Sequence, residues 1–297
     1  MSSRSVFISA LRPRNVLFVA LVLAIVSGCL AMGGEEQSRY AGIDSVTERI
    51  ESYPDFDLHV VESGNPAGQP VVFIHGTPGS ADFFASYLLH AEIQDLRLIA
   101  IDRPGWGSSI VKTGFDGALG SQSSMLGQFL CDLASASPDL RPVVVAHSYG
   151  ATLTPLLLMD HPECVSSALL LAGAADPRLA APRWYNWMTE VPPVSWLASL
   201  SGFGLKLSND EMMLVQNGLE QMQSRWSSIN LPVTVIQGEQ DLLVDPDHAD
   251  FIESRLAHIP VEVIRFQQEG HMVVHTDRIF VINQLRKLLR QSGSDPQ

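Results

Sequence analysis

Clustered positive charge is what this sequence most clearly lacks. Its 297 residues hold 19 Lys and Arg against 32 Asp and Glu, for a formal charge of −13. No basic cluster stands out, which excludes a phosphate-binding nucleic-acid surface. Charge of either sign amounts to 17% and hydrophobic residues to 46%, so neither a disordered chain nor a coiled coil fits. Internal repeats, low-complexity runs, a P-loop and any cofactor motif are all missing. What is present is enough apolar sequence to bury the core of one α/β domain.

The first thirty residues stand apart from that domain. Arg4, Arg12 and Arg14 precede an unbroken apolar run, Val16 to Val26, of signal-peptide length. Val26-Ser27-Gly28-Cys29 follows; it resembles the bacterial lipobox, and that resemblance implies lipidation at Cys29. The alternative is an uncleaved anchor, because Val16 to Gly34 carries no charge and is long enough to span a bilayer. In both readings the Arg-rich end stays cytoplasmic and the rest is exported and held at a membrane. Leu30 rather than Asp follows Cys29, which resembles sorting to an outer membrane, so the expected place is the periplasmic face or the outer membrane if the source is Gram-negative. Residues 1–28 are thus read as signal peptide and 29–45 as a polar tether, spanning about 20 Å as a flexible coil. Processing would remove three Arg and no acid, and so acidic a domain should stand off from anionic headgroups. The other cysteines, Cys131 and Cys164, fall in apolar helical or helix-flanking segments. They read as buried free thiols, with a disulfide as the alternative in an oxidising compartment.

Beyond residue 45, short runs rich in Val, Ile and Leu alternate with longer amphipathic stretches. Strands are expected at Phe56–Val61, Val71–Ile74, Leu96–Ile101, Val143–Ala146, Ala168–Leu171, Val233–Ile236 and Val261–Phe266. Helices are expected near Ala81–Ala91, Gln122–Ala136, Tyr149–Met159, Pro246–Ala257 and Arg278–Gln291. Continuous apolar strands alternating with helices imply an α/β fold, a mostly parallel sheet covered on both faces. The domain is divided as 46–173, an inserted segment 174–230, 231–291, and a tail 292–297. The insertion holds Trp184, Tyr185, Trp187, Trp196, Phe203 and Trp226, is interrupted by Pro182, Pro192 and Pro193, and contains one long helix over Ser208–Arg225. It reads as a helical lid placed before the strand that leads to Asp241.

Val143-Val144-Val145-Ala146-His147-Ser148-Tyr149-Gly150-Ala151 is the decisive stretch. An apolar strand runs into a serine flanked at two positions either side by very small residues, and a helix begins at once. Such a turn projects the serine Oγ clear of the sheet, with the helix N-terminus behind it. The stretch resembles the nucleophile elbow of the α/β-hydrolases, with Ala146 in place of the first glycine. Two other segments are similar to motifs of that family: His75-Gly76-Thr77-Pro78-Gly79 after one strand, and Asp102-Arg103-Pro104-Gly105-Trp106-Gly107-Ser108-Ser109 after the next.

The resemblance spans roughly 46–289 apart from the insertion, and it implies roles. Ser148 would be the nucleophile and His271, after the last strand, the base. Asp241, in a Gly-x-x-Asp turn, would be the supporting acid, with Asp245 and Asp176 as rivals. The backbone N–H groups of Thr77 and Tyr149 would form the oxyanion hole. His75 is read as loop-stabilising, His147 as pointing away from the line of attack, and Trp106, Trp184 and Trp187 as candidate pocket residues. His271 and His275 are four apart, but no third ligand accompanies them, so no metal is expected. A serine nucleophile disfavours the ester-intermediate chemistry of dehalogenase and epoxide-hydrolase relatives. The expectation is an exported serine hydrolase acting on an ester or related acyl bond of a small hydrophobic substrate, without cofactor. The alternatives are perhydrolysis, amide or lactone cleavage or C–C hydrolysis by the same triad, and a non-catalytic binding lipoprotein.

Overall fold

The computed structural model describes residues 39–137, 139–192, 194–200 and 204–291. Of the chain's two units, Met1–Gly42 and Ile43–Gln297, the second carries every strand and helix among those residues. The expected signal peptide, Cys29, much of the tether and the tail at 292–297 lie outside the described residues. No helix among the described residues is long and apolar enough to cross a membrane.

Among the described residues, nine strands make one sheet. β1 (Val46–Ser52), β2 (Phe56–Gly64), β3 (Pro70–Ile74), β4 (Arg97–Ile101), β6 (Val143–His147), β7 (Ser167–Leu171), β8 (Val233–Gly238) and β9 (Val261–Phe266) lie in the order β1-β2-β4-β3-β6-β7-β8-β9, and the short β5 (Ile110–Val111) pairs with β2. From β4 through β3 to β9 all neighbours are parallel, while β1-β2 and β2-β4 are antiparallel. β3, β6 and β7 are buried at every position. That burial is why they read as unbroken apolar runs rather than alternating ones.

β1 is an addition to the expected strands. Its sequence, Val-Thr-Glu-Arg-Ile-Glu-Ser, buries no residue fully. It is held by its ladder to β2 and by Arg49, whose guanidinium donates to Glu62 at 2.6 Å. An edge strand half in water needs no apolar run, so composition did not mark it.

The helices are α1 (Ala85–Leu88), entered through a 3-10 turn at Ala81–Phe84, α2 (Leu119–Ala136), α3 (Tyr149–Asp160), α4 (Trp184–Thr189), α5 (Val194–Leu200), α6 (Leu205–Met222), α7 (His248–Arg255), α8 (Val273–Thr276) and α9 (Arg278–Gln291). In α9 the buried positions are Val281, Ile282, Leu285, Leu288 and Leu289, the single stripe that seats a helix on a sheet. α4, α5 and α6 form the insertion between β7 and β8. Trp226 does not belong to its surface: the indole is buried in the core and meets Phe251 edge-on at 5.7 Å.

Cys131 and Cys164 form a disulfide, which corrects the reading of free thiols. α2 and α3 pack together, and the 3-10 turn at Pro162–Cys164 after α3 returns to α2. That return brings the two Cα atoms to 4.7 Å, a proximity no local pattern encodes.

Strand order also positions the site. β3 lies between β4 and β6, so the chain leaves β3 to one side and comes back on the other. In an open α/β sheet this reversal creates a crevice at the carboxyl ends of the two strands. Ile74 and Ala146 are in register; two residues further along each chain stand Gly76 and Ser148.

Candidate active site

Ser148 has φ 55° and ψ −119°, a conformation that costs a non-glycine residue about 1–3 kcal/mol. Its surroundings enforce it. The Ser148 N–H donates to the Leu171 carbonyl at 2.8 Å, and the Ser148 carbonyl accepts from the Thr152 N–H at 2.9 Å as α3 starts. A Cβ on Gly150 would fall 2.4 Å from the Ile74 carbonyl oxygen, and one on Gly76 would fall 2.8 Å from the Ser148 Cβ. The small residues therefore let two loops touch. At the other small position, Ala146 is fully buried and its methyl is accommodated.

Three side chains meet beside this turn. His271 Nε2 lies 3.0 Å from Ser148 Oγ, and His271 Nδ1 lies 2.7 Å from Asp241 Oδ2. Against a carboxylate Nδ1 must donate, leaving Nε2 to accept the serine proton. The Asp241 carboxylate is sequestered and well supplied with donors: the N–H groups of Leu243 and Val244 reach Oδ1 at 2.8 and 2.9 Å, and Gln237 reaches Oδ2 at 3.3 Å. The loops after β8 and β9 are tied by the Glu239 N–H to the Phe266 carbonyl and the Gln240 N–H to the Glu269 carbonyl. The rival acids are engaged elsewhere. Asp176 forms an ion pair with Arg178 at 2.6 Å, and Asp245 accepts from the Asp247 N–H at 3.0 Å.

Thr77 follows Gly76, where the chain passes closest to Ser148, and Tyr149 opens α3. Outside helices and strands, no backbone carbonyl of the described residues accepts from either N–H, as expected for a first helical turn and its facing loop.

Both neighbouring histidines hold backbone. His75 is fully buried; burial and then the Arg103 guanidinium push it down to about 3, so it is neutral. Its Nδ1 donates to the Gly76 carbonyl at 2.7 Å and its Nε2 accepts the Arg103 N–H at 2.9 Å. His147 is held well below the usual imidazole range by burial and then by His271. Its Nε2 donates to the His271 carbonyl at 2.9 Å while its ring stacks on Phe83.

Sequence reasoning missed a buried polar cluster beneath the site. Arg103 and Glu211, both fully buried, pair through two bonds of 2.7 and 3.1 Å. Arg103 also donates to the carbonyls of His75 and Gly76, each at 3.0 Å, and to Gln122. Glu211 accepts further from Gln122 and from Trp106 Nε1, each at 2.9 Å. Gln122 reaches the Tyr149 hydroxyl at 3.2 Å, and burial, then Glu211, pushes that phenol up. One cluster thus joins α6 of the insertion, the loop before Thr77, and the residue after Ser148. A signal for it was available: Glu211 shares a helical stripe with Val215, Leu219 and Met222, and an acid on an apolar stripe needs a buried partner.

Trp106 is buried in this cluster, edge-on to His75, whereas Trp184 and Trp187 stand half exposed on α4. An open depression of about 450 Å³ elsewhere, lined by Asp176, Pro177, Arg178, Gln223, Phe251, Ser254 and Arg255, contains none of Ser148, His271 and Asp241.

Comparison with known proteins places the fold. A probable proline iminopeptidase of Leptolyngbya boryana is 23% identical over 247 residues, covering 75% of this chain and 73% of the relative. Lipase 1 of Psychrobacter immobilis is 21% identical over 240 residues, covering 71% and 74%. Among solved structures, an epoxide hydrolase from Vigna radiata superposes with a TM-score of 0.67 at 16% identity, over 86% of this chain and all of that one. The alpha/beta hydrolase family pattern matches residues 71–282, and the chain belongs to that family.

Proposed function

We propose that the protein is an exported serine hydrolase that cleaves an ester bond of a small, uncharged, hydrophobic substrate. The observation that carries the reading is the continuous line Ser148 Oγ, His271, Asp241, with spacings of 3.0 and 2.7 Å. Ser148 Oγ attacks the carbonyl carbon as its proton passes to His271 Nε2, and the N–H groups of Thr77 and Tyr149 receive the developing oxyanion. Asp241 holds the imidazole tautomer and balances its cation. His271 then protonates the departing alcohol, and a water deprotonated by the same nitrogen releases the acid from Ser148. No cofactor enters the scheme. Trp106 is the proposed contributor to the substrate's surroundings, with the insertion as a lid, whereas Trp184 and Trp187 face outward on α4. The N-terminal segment would carry the enzyme across a membrane and hold it there, through a lipid on Cys29 or as an uncleaved helix.

The likeness to a proline iminopeptidase favours one second reading, amide cleavage by the same three residues. The test is labelling by a fluorophosphonate, followed by turnover of p-nitrophenyl esters of graded chain length and of proline p-nitroanilide. Labelling and ester turnover that vanish in Ser148→Ala and His271→Ala support the proposal. Preference for the anilide moves it to the second reading, and a wild type that neither labels nor turns over defeats both.

A further inference from the structure

α4 is built inside out. Its Asn186 is buried, while Trp184, Trp187, Met188 and Val191, spaced i, i+3, i+4 and i+7 through the helix and the turn that ends it, are 50–59% exposed. That spacing is one helical face, and it points to solvent. On α5 the indole of Trp196 is more exposed still.

The inner side fixes this orientation. Asn186 accepts from the Arg183 N–H and donates to Asn209 of α6, each at 2.9 Å; Asn209 donates to Glu190 at 2.5 Å. With its polar groups paired inward, α4 cannot turn its tryptophans into the core without breaking these bonds. The apolar exposure continues towards the site. Arg183 donates to the carbonyls of Leu242 and Leu243, just past Asp241, at 3.0 Å each. Leu242, Leu243 and Met272, the residue after His271, are all exposed.

Charge is scarce on the same segment. From Trp184 to Leu205 the only charged residue is Glu190, and its carboxylate is bonded to Asn209 and lies 3.9 Å from Lys206. In an acidic chain, such a surface fits a partner that offers apolar depth without ionic contacts. The choice of partner rests on the proposed membrane attachment: with the apolar run Val16–Val26 as the anchor and residues 29–45 as a tether, the domain would stay within tens of ångströms of a bilayer. Tryptophan is also the side chain best suited to the boundary between headgroups and acyl chains.

We propose that the outer face of α4, with Trp196 of α5, docks on an uncharged or zwitterionic bilayer surface and holds the rim of the Ser148–His271 site at the acyl boundary. Apolar burial drives the contact; anionic lipid opposes it, because the domain is acidic.

The test uses the full chain in phosphatidylcholine vesicles whose acyl chains carry bromine, a contact quencher of tryptophan. The five tryptophans are 106, 184, 187, 196 and 226, none in the N-terminal segment, and Trp106 and Trp226 are buried. Quenching therefore reports the insertion even with the N-terminus embedded. Wild-type emission should drop well below that in unbrominated vesicles. The triple variant Trp184→Ser, Trp187→Ser, Trp196→Ser should lose at least about nine-tenths of that difference, and phosphatidylglycerol should weaken the wild-type effect. Equal emission in the two vesicle types overturns the proposal without relying on any variant, as does quenching that grows with anionic lipid. Spectral change that follows protein density and not bromine assigns the face to a second copy instead, which also overturns it. Repeating the measurement in Ser148→Ala keeps the result independent of whether the triad is catalytic.

Discussion

The insertion meets its surroundings in two opposite ways. α6 sends a carboxylate, Glu211, into a site with no solvent access, where Arg103, Gln122 and Trp106 surround it. α4 sends tryptophans into solvent and keeps its asparagine inside. A buried ion pair contributes little net stability against an apolar replacement, but breaking it by removing one partner costs a great deal. Its value is geometric, since it sets α6 against the His75 and Gly76 carbonyls. Among the described residues α4 carries no such tie to the nucleophile, and its outward face is half exposed. One half of the insertion is therefore part of the site's frame, and the other is a surface.

The largest effect expected from breaking that contrast is at Glu211. Glu211→Ala strands a buried guanidinium and should lower unfolding stability by about 3–5 kcal/mol, measured by denaturant titration. Arg103→Met combined with Glu211→Met should be more stable than Glu211→Ala alone; additive losses would mean that the two residues do not act as a pair. Next in size is the disulfide that braces α2, which carries Gln122 of the same cluster. Cys131→Ser with Cys164→Ser should cost about 2–4 kcal/mol and leave kcat unchanged at temperatures where the variant stays folded. Unreduced and reduced peptide masses test the bond directly.

Acid should separate the body from the insertion. His75, His147, His248 and His275 are all pushed down by burial, and the insertion contains no histidine. Below the unfolded imidazole pKa of about 6.5 the unfolded chain takes up protons that these native groups refuse, so stability falls with pH. For His75 that loss continues down to about 3. His59 acts in the opposite sense. Its hydrogen bond to Asp102 raises it, so its contribution is complete below the unfolded pKa and is lost as pH rises through the folded one. With four groups against one, calorimetry should show Tm dropping from pH 7 to pH 5, and a rise would contradict the assignment. The smallest effect belongs to α4: Trp187→Ser should change stability by no more than about 0.5 kcal/mol, and a larger loss would mean that its indole packs against the fold.

Much of this was legible beforehand because the relevant physics is local. Val143–Ala146 followed by Ser148 and Gly150 encodes a buried strand, a tight turn and a helix start within nine residues, and the structure has all three. The same is true of the strand and turn leading to Asp241. Tertiary pairing was much less legible. β1 is held by its partner rather than by its composition, and Cys131 meets Cys164 only because the turn after α3 returns to α2. Glu211 meets Arg103 from 108 residues away.

The sequence by itself determined the alternation of strands and helices and the residue types at the nucleophile turn, because backbone sterics and hydrophobic periodicity act over a few positions. Only the tertiary structure decided which acid faces His271 among three similar aspartates, what lies beneath the Gly76 loop, and which side of the insertion faces out. Each of these depends on contacts between segments far apart in the chain, where strand order and burial, not local preference, choose the partner.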